Sequence, residues 1–120
     1  MADTVRGKDS ALLIVGALGG AMDRPSPTDT AYPHRGATTS IEVFGTVGDL
    51  PPEHVTREVD DVQSALARLV GAGTYINYLD PAQEDWARTA YRHNLRRLRA
   101  VARRYDPDRV LRFPQSVTAG

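Results

Sequence analysis

The chain has 120 residues, of which 41% are hydrophobic and 25% are charged, and these values are typical of a single globular domain. Its formal net charge is zero, so the overall balance does not indicate a nucleic-acid partner. The chain has no cysteine, which excludes disulfides and thiolate ligands, and the spacing of His34, His54 and His93 is not that of a metal site.

The N-terminal part of the sequence resembles a signal peptide only superficially. We expect residues 1–10 to be flexible and residues 11–120 to form one domain. The apolar run 11–22 follows two basic residues, but Asp3 and Asp9 are not typical of a secretory leader. The run is also shorter than the roughly 20 apolar residues that cross a bilayer. We therefore predict a cytoplasmic protein without a membrane partner.

Two strands are predicted next. Residues 12–18 are continuously apolar, which is typical of a strand that is covered on both faces. Residues 38–47 alternate in polarity, which predicts a strand with two different faces. One face would carry Ile41, Val43 and Val47, and the other would carry Ser40, Glu42, Phe44 and Thr46.

Two helices follow the strands. The first is predicted from the Pro51-Pro52 pair to about residue 70, where Gly71 and Gly73 end it. Its apolar positions recur at helical spacing and are Val55, Val59, Val62, Leu66, Leu69 and Val70. The second helix is predicted from about Asp85 to Tyr105, with an extended tail after it.

The order β, β, α, loop, α predicts an α+β fold, in which a small antiparallel sheet of two or more strands is backed by two helices. A sheet of two strands is marginally stable and leaves unpaired edges. We therefore expect a homodimer, or a complex with another chain, to complete the core.

Four segments carry a resemblance to a known family. They are GGAM (19–22), TAYPHR (30–35), YINYLDP (75–81) and the run 86–116. Together they resemble the C-terminal end of the berberine bridge enzyme-like FAD-linked oxidoreductases. That ending reads Tyr-x-Asn-Tyr-x-Asp, then Trp, then Tyr-Gly-x-Asn-x-x-Arg-Leu, and closes on Tyr-Asp-Pro, Phe and Pro-Gln-Ser.

The resemblance implies roles for particular residues. The family's C-terminal segment contributes strands to the sheet of the substrate domain, and its Tyr-x-Asn-Tyr stretch passes beside the flavin ring. Its second tyrosine acts as the catalytic base in several members, which corresponds to Tyr78, and Asn77 would orient the loop or contact flavin. An acidic residue or a glutamine often follows the Pro-His-Arg segment on the substrate-facing strand, which corresponds to Ser40 or Glu42.

Two functions remain open at this point. In the first, the chain is a small stand-alone enzyme of non-redox chemistry, such as cyclisation or isomerisation, that acts on a small organic molecule. Tyr78 and Glu42 would be its acid/base pair, although a phenol near neutrality needs a stabilising cation or donor to act as a base. The substrate-binding residues would be Ser40, Phe44, Tyr75 and Asn77.

In the second function, the chain is an accessory or binding module that completes a separate FAD-domain protein. The isolated chain would hold no cofactor, because nothing in it resembles the family's FAD-binding region, and FAD would come only with such a partner. The family glycine before the Asn-x-x-Arg-Leu run is Arg92 here. We interpret this glycine as a position of close approach, so that Arg92 favours the non-redox function.

Simpler structural roles compete with these assignments. Tyr75, Asn77 and Tyr78 would then form an aromatic plug between the helices. Glu42 would lie on a solvated face of the sheet, although Phe44 on the same face indicates a partly apolar surface. His34 and Arg35 are expected to brace the loop between the strands.

Overall fold

The computed structural model describes residues 7, 9–70, 73–78 and 80–117. Most of the N-terminus that we expected to be flexible, together with Gly71, lies outside these residues. The chain divides into two compact units. The sheet unit comprises the residues up to Leu18 and Thr38–Ala72, and the tyrosine unit comprises Gly19–Ala37 and Gly73–Gly120. The assignment of residues 11–120 to one domain stays a prediction.

The sheet unit contains two antiparallel strands, β1 (Ala11–Ala17) and β2 (Thr39–Gly45). Their register places Leu13 opposite Val43 and Ile14 opposite Glu42. Both strands lie where the apolar run and the alternating pattern predict them. The α+β fold with a small antiparallel sheet is thereby confirmed.

A long helix, α1 (Pro52–Val70), packs against one face of this sheet. Its residue Val62 is 0% exposed and contributes, with Leu66, to a cluster that includes Ala11 of β1. Leu13, Ile41 and Val43 are packed against this cluster. The predicted start and end of the helix are confirmed, but Leu69 and Val70 are exposed and do not join its buried face.

Gly45 marks the closest approach of helix and strand. A Cβ atom at this position would collide with the Val55 side chain and lie 3.0 Å from Cγ2 of Val59. The missing side chain therefore lets α1 lie directly on the end of β2.

The other face of the sheet is open among the described residues. Leu12 and Ile14 of β1 are 48% and 53% exposed in the single chain, so the expectation that this strand is covered on both faces depends on a second chain. Within the sheet unit, α1 packs against the opposite face, where Leu13, Ile41 and Val43 lie. A homodimer that would close the other face stays a prediction.

A buried carboxylate links α1 to the start of β1. Glu58 accepts hydrogen bonds from the hydroxyl of Ser10 at 2.6 Å, the backbone N–H of Ser10 at 2.9 Å and the backbone N–H of Asp9 at 3.4 Å. The Ser10 hydroxyl, then the Ser10 N–H, lower the pKa of Glu58 from 4.5 to about 2. His54, one turn earlier, adds a smaller effect. This carboxylate clasp holds the two residues before β1 against the helix.

The tyrosine unit contains two short helices, α2 (Trp86–Tyr91) and α3 (Leu95–Tyr105), separated by a 3-10 turn at Arg92–Asn94. The prediction of one continuous helix over this range is wrong. Arg92 has φ 47° and ψ −127°, a conformation outside the right-handed helix.

Asn94 provides the physical reason for this break. Its side chain is buried, and its amide nitrogen donates to the backbone carbonyls of Pro27 at 2.7 Å and Thr30 at 3.1 Å. These two bonds satisfy carbonyl groups of the long loop 23–38. Tertiary hydrogen bonds of this kind outweigh a modest helix propensity.

The tail after α3 turns, contrary to the expectation of an extended segment. The Asp106 carboxylate accepts hydrogen bonds from the backbone N–H groups of Val110 at 2.7 Å and Leu111 at 3.0 Å, and Arg109 has a positive φ of 55°. Within the described part of the chain, no helix is both long and apolar enough to cross a membrane.

Candidate functional site

The central feature of the tyrosine unit is the tyrosine segment, which we define as residues 75–78. It forms a 3-10 turn over Ile76–Tyr78, closed by a hydrogen bond from the Tyr78 N–H to the Tyr75 carbonyl at 3.0 Å. The two tyrosine rings lie 5.8 Å apart, and the Asn77 amide donates to the Tyr75 hydroxyl at 2.8 Å. Tyr78 is 65% exposed. The segment is therefore a surface feature rather than an aromatic plug.

A cluster of polar side chains holds the start of this segment. The Gln83 amide nitrogen donates to the hydroxyls of Thr74 and Thr89, each at 3.0 Å. The two hydroxyls are 3.1 Å apart, and the Thr89 hydroxyl donates to the Asp85 carbonyl at 3.2 Å. The segment is thus tied to the first turn of α2 by a connected polar network.

Tyr32 connects the tyrosine segment to the loop before β2. Its ring contacts the Tyr75 ring edge-to-face at 6.1 Å and the His34 ring at 5.4 Å. The Arg35 guanidinium lies 5.0 Å from the centre of the same ring, within the range of a cation–π contact. Arg35 also donates to the Met22 carbonyl and to the Thr30 hydroxyl, so it braces this loop as expected.

The second set of predicted residues lies on the open face of the sheet unit. Strand alternation and register place Ser40, Glu42 and Phe44 together there, with Phe44 opposite Leu12 and Glu42 opposite Ile14. The prediction that Ser40 and Glu42 share a face is confirmed. Glu42 is partly buried among apolar neighbours, so its carboxylate lies on a largely apolar surface.

The predicted site residues therefore fall into two groups. Tyr75, Asn77 and Tyr78 contact one another within the tyrosine unit, and the three β2 residues share a face of the sheet unit. The pairing of Tyr78 with Glu42 joins residues of different units and stays a prediction. A charged depression on α1 contains none of these residues. It is lined by His54, Arg57, Glu58, Asp60 and Asp61.

Sequence reasoning did not single out Tyr32 and Asn94. Both lie in segments that carry the family resemblance, Tyr32 in TAYPHR and Asn94 in the run that begins at Trp86. The family resemblance therefore included both residues, but their roles are visible only from their contacts with residues distant in the sequence.

The structure also tests whether these residues fit FAD. Exposed tyrosine rings and an amide suit contact with a flat, partly polar ring such as that of flavin. The pyrophosphate of a dinucleotide is commonly bound by backbone N–H groups at a helix N-terminus. Gly19 and Gly20 have positive φ but lead into a four-residue 3-10 helix, and we find no such cradle in residues 9–70, 73–78 and 80–117. Among the described residues, the tyrosine segment suits contact with a flavin ring, and no site for the pyrophosphate accompanies it.

The described residues also contain no group of three or more His, Asp or Glu side chains that could hold a metal ion.

Comparison with known proteins agrees with the resemblance found in the sequence. Residues 74–118, which include the tyrosine segment, match the family described as Berberine and berberine like. Residues 74–118 therefore belong to the berberine and berberine-like family. The match places Tyr75, Asn77 and Tyr78 inside the family's own sequence pattern.

Several relatives match most of the chain. The uncharacterized FAD-linked oxidoreductase YgaK of Bacillus subtilis is 37% identical over 84% of the chain. The FAD-linked oxidoreductase sorD of Penicillium rubens is 34% identical over 98%, and a chitooligosaccharide oxidase of Gibberella zeae is 31% identical over 87%. The chain spans 22% to 26% of the length of these relatives. No solved structure gives a significant match.

Proposed function

We propose that this chain supplies the substrate-facing part of an FAD-linked oxidoreductase and works together with an FAD-binding body, located elsewhere in the same protein or in a partner chain. The observation that carries the proposal is the exposed tyrosine segment within the berberine-like match. Bound FAD would supply the redox chemistry by accepting a hydride from an oxidisable substrate. The chain's own residues would bind that substrate and move its proton.

Each side chain then has a definite task. Tyr78 would release its own hydroxyl proton to solvent and then accept the substrate proton at its phenolate oxygen, and Asn77 would keep Tyr75 beside it through the 2.8 Å hydrogen bond. Phe44 and the neighbouring Leu12 would bind apolar parts of the substrate on the open sheet face, where Glu42 would orient a polar group.

The backbone at Arg92 supports this proposal over a non-redox function. A glycine at this position would permit close approach of a neighbouring group. Arg92 instead has φ 47°, which is a conformation that glycine adopts at little cost. The arginine therefore keeps the glycine-like backbone, and its presence is not an argument against a flavin partner.

A segment graft tests the proposal. The matching part of the Gibberella zeae chitooligosaccharide oxidase, about 23% of that protein, would be replaced by this chain. We expect the graft to retain FAD and to reduce it with chitooligosaccharide. Tyr78→Phe in the graft should slow flavin reduction by about 100-fold or more, because general-base catalysis contributes about 10²–10⁴-fold.

Tyr105→Phe is the matched control, since Tyr105 is an exposed tyrosine on α3 that lies outside the tyrosine segment. It should leave the rate of flavin reduction unchanged. Equal rates for Tyr78→Phe and the unsubstituted graft, with flavin bound in both, would show that Tyr78 is not the base.

A second candidate is non-redox acid/base chemistry by the chain itself, such as cyclisation or isomerisation. It is favoured by the observation that a phenol and a carboxylate, the groups such chemistry needs, both lie on exposed or partly exposed surface of this one chain. In this case a second copy would close the open sheet face. Three results together would support this candidate against the first. The chain would sediment as a dimer, it would not bind added FAD in a visible-absorption titration, and Glu42→Gln would abolish its turnover.

A further inference from the structure

His34 lies at the point where the tyrosine segment begins. Its Nε2 atom is 3.0 Å from the backbone carbonyl of Ala90, a buried residue of α2. Because a carbonyl oxygen only accepts, Nε2 carries the hydrogen of this bond. The ring is thus anchored to α2 by one of its nitrogens.

The other side of the same ring occupies the space above Gly73. A Cβ atom at this position would lie 2.8 Å from Nδ1 and 2.9 Å from Cε1 of His34. These distances are too short for real atoms, so the absence of a side chain at Gly73 is what admits the ring. Gly73 comes immediately before Thr74, whose hydroxyl belongs to the polar network at the start of the segment.

Tyr32 extends this support to the tyrosines themselves. Its ring meets His34 at 5.4 Å and Tyr75 at 6.1 Å, both edge-to-face, and Tyr75 in turn lies 5.8 Å from Tyr78. Contacts of this geometry are favourable beyond the area that they bury. A continuous row of four rings therefore leads from the anchored histidine to the exposed Tyr78.

We propose that His34 and Tyr32 are positioning residues, which hold the tyrosine segment through Gly73 and Tyr75 and thereby set the location of Tyr78. The proposal rests on the proposed function for the role of Tyr78, and on the geometry alone for the positioning.

The electrostatics of His34 agree with this role. Burial, followed by the nearby charge of Arg92, lowers the pKa of His34, and contacts with the Ala90 and Thr74 backbones act in the opposite direction. A lowered pKa keeps the ring neutral near pH 7, in the tautomer with hydrogen on Nε2.

A double-mutant cycle tests the contact between His34 and Gly73. Gly73→Ala should increase the fraction of unfolded tyrosine unit by roughly 5- to 100-fold, because it overpacks the space that the ring fills. In a His34→Ala background the same change should have almost no effect. The fluorescence of Trp86, the only tryptophan of the chain, reports unfolding of this unit. An equal effect of Gly73→Ala in both backgrounds would overturn the proposed contact.

Proton NMR of the tyrosine rings tests positioning, which a purely stabilising role would not affect. Tyr32→Leu removes the edge-to-face partner of Tyr75 and should shift the ring resonances of Tyr75 and Tyr78 in the folded protein. Tyr32→Phe keeps the ring and should leave them nearly unchanged. If His34→Ala does not fold, the comparison of Tyr32→Leu with Tyr32→Phe still tests the positioning. Unshifted Tyr78 resonances in folded Tyr32→Leu would overturn the proposal.

The graft distinguishes this proposal from the proposed function. There, Tyr32→Leu should lower kcat about tenfold or more with little change in KM, because misplacement of a reacting group costs rate, and Tyr32→Phe should restore it. NMR shifts without any effect of Tyr78→Phe on flavin reduction would refute Tyr78 as the base and leave the positioning intact. No NMR shift together with a strong Tyr78→Phe effect would refute the positioning alone.

Discussion

The two units of this protein are stabilised by different interactions. The sheet unit has a helix on a sheet, with apolar side chains such as Val62 and Leu66 at the contact and one carboxylate clasp. The tyrosine unit depends on hydrogen bonds from side chains to backbone, such as those of Asn94 and His34, and on contacts between rings. Its helix α3 has no buried residue.

This difference relates to function. Apolar packing tolerates the exchange of side chains of similar size, whereas a polar network requires a particular donor at a particular place. The tyrosine unit can therefore hold an irregular segment and its exposed rings in a defined position, which a candidate base requires. The following changes test this contrast.

The largest effect is expected in the core of the sheet unit. Leu66→Ala should lower the free energy of unfolding by about 2–5 kcal/mol, because it removes a buried side chain and leaves a cavity. Leu69→Ala on the same helix is the control and should cost less than about 0.5 kcal/mol, since Leu69 is exposed. Urea denaturation followed by circular dichroism measures both. Similar costs for the two would show that α1 does not form the core.

In the tyrosine unit, Asn94→Asp should cost about 2–3 kcal/mol. A carboxylate has nearly the same shape as the amide but cannot donate, so the buried side chain would lose both bonds and place its charge beside two carbonyl oxygens. Asn77→Asp, at an exposed position, should cost less than about 1 kcal/mol. Trp86 fluorescence during urea denaturation measures the difference. A tolerated Asn94→Asp would mean that apolar contacts, and not this polar anchor, hold the unit.

Arg92→Gly should stabilise the protein by about 1 kcal/mol, because it relieves a positive φ at a modest cost in the entropy of the unfolded chain. Arg88→Gly, four residues earlier within α2, should have the opposite sign and cost about 1 kcal/mol. Thermal unfolding compares the two. Destabilisation by both would mean that the Arg92 side chain contributes more than its backbone costs.

The last change concerns the carboxylate clasp, whose contribution to stability is lost only in acid. The pKa of Glu58 falls from 4.5 to about 2 on folding, so its stabilisation is complete above about pH 4.5 and is lost as the pH falls toward 2. Urea denaturation across this range should show that the free energy of unfolding decreases as the pH is lowered. Glu58→Gln should remove much of this slope, and Glu53→Gln, at an exposed position on α1, should keep it. An unchanged slope in Glu58→Gln would assign it to other groups.

Much of the sheet unit was predictable from the sequence. The alternation in β2 and the helical spacing of Val55, Val62 and Leu66 result from local geometry, which has a fixed period. The open face of β1 was not predictable, because an apolar run shows that a strand can be covered and does not show what covers it. The same limit applies to Leu69 and Val70, which have the right spacing but are exposed.

The family resemblance identified the tyrosine segment as a candidate site, and its residues do contact one another. It did not show that Tyr32 and His34 support the segment, because these residues are about 40 positions away in the sequence and meet it only in the fold. Whether Glu42 acts with Tyr78 stays a prediction, since they belong to different units.

The strands and the extent of α1 could be predicted from the sequence, because periodicity, proline and glycine act over a few residues. The break in the second helix and the contacts that hold the tyrosines are visible only in the folded chain. Arg92 leaves the helix while Asn94 donates to two carbonyls more than 60 residues away. The balance between such distant hydrogen bonds and local helix preference is settled only once the chain is folded.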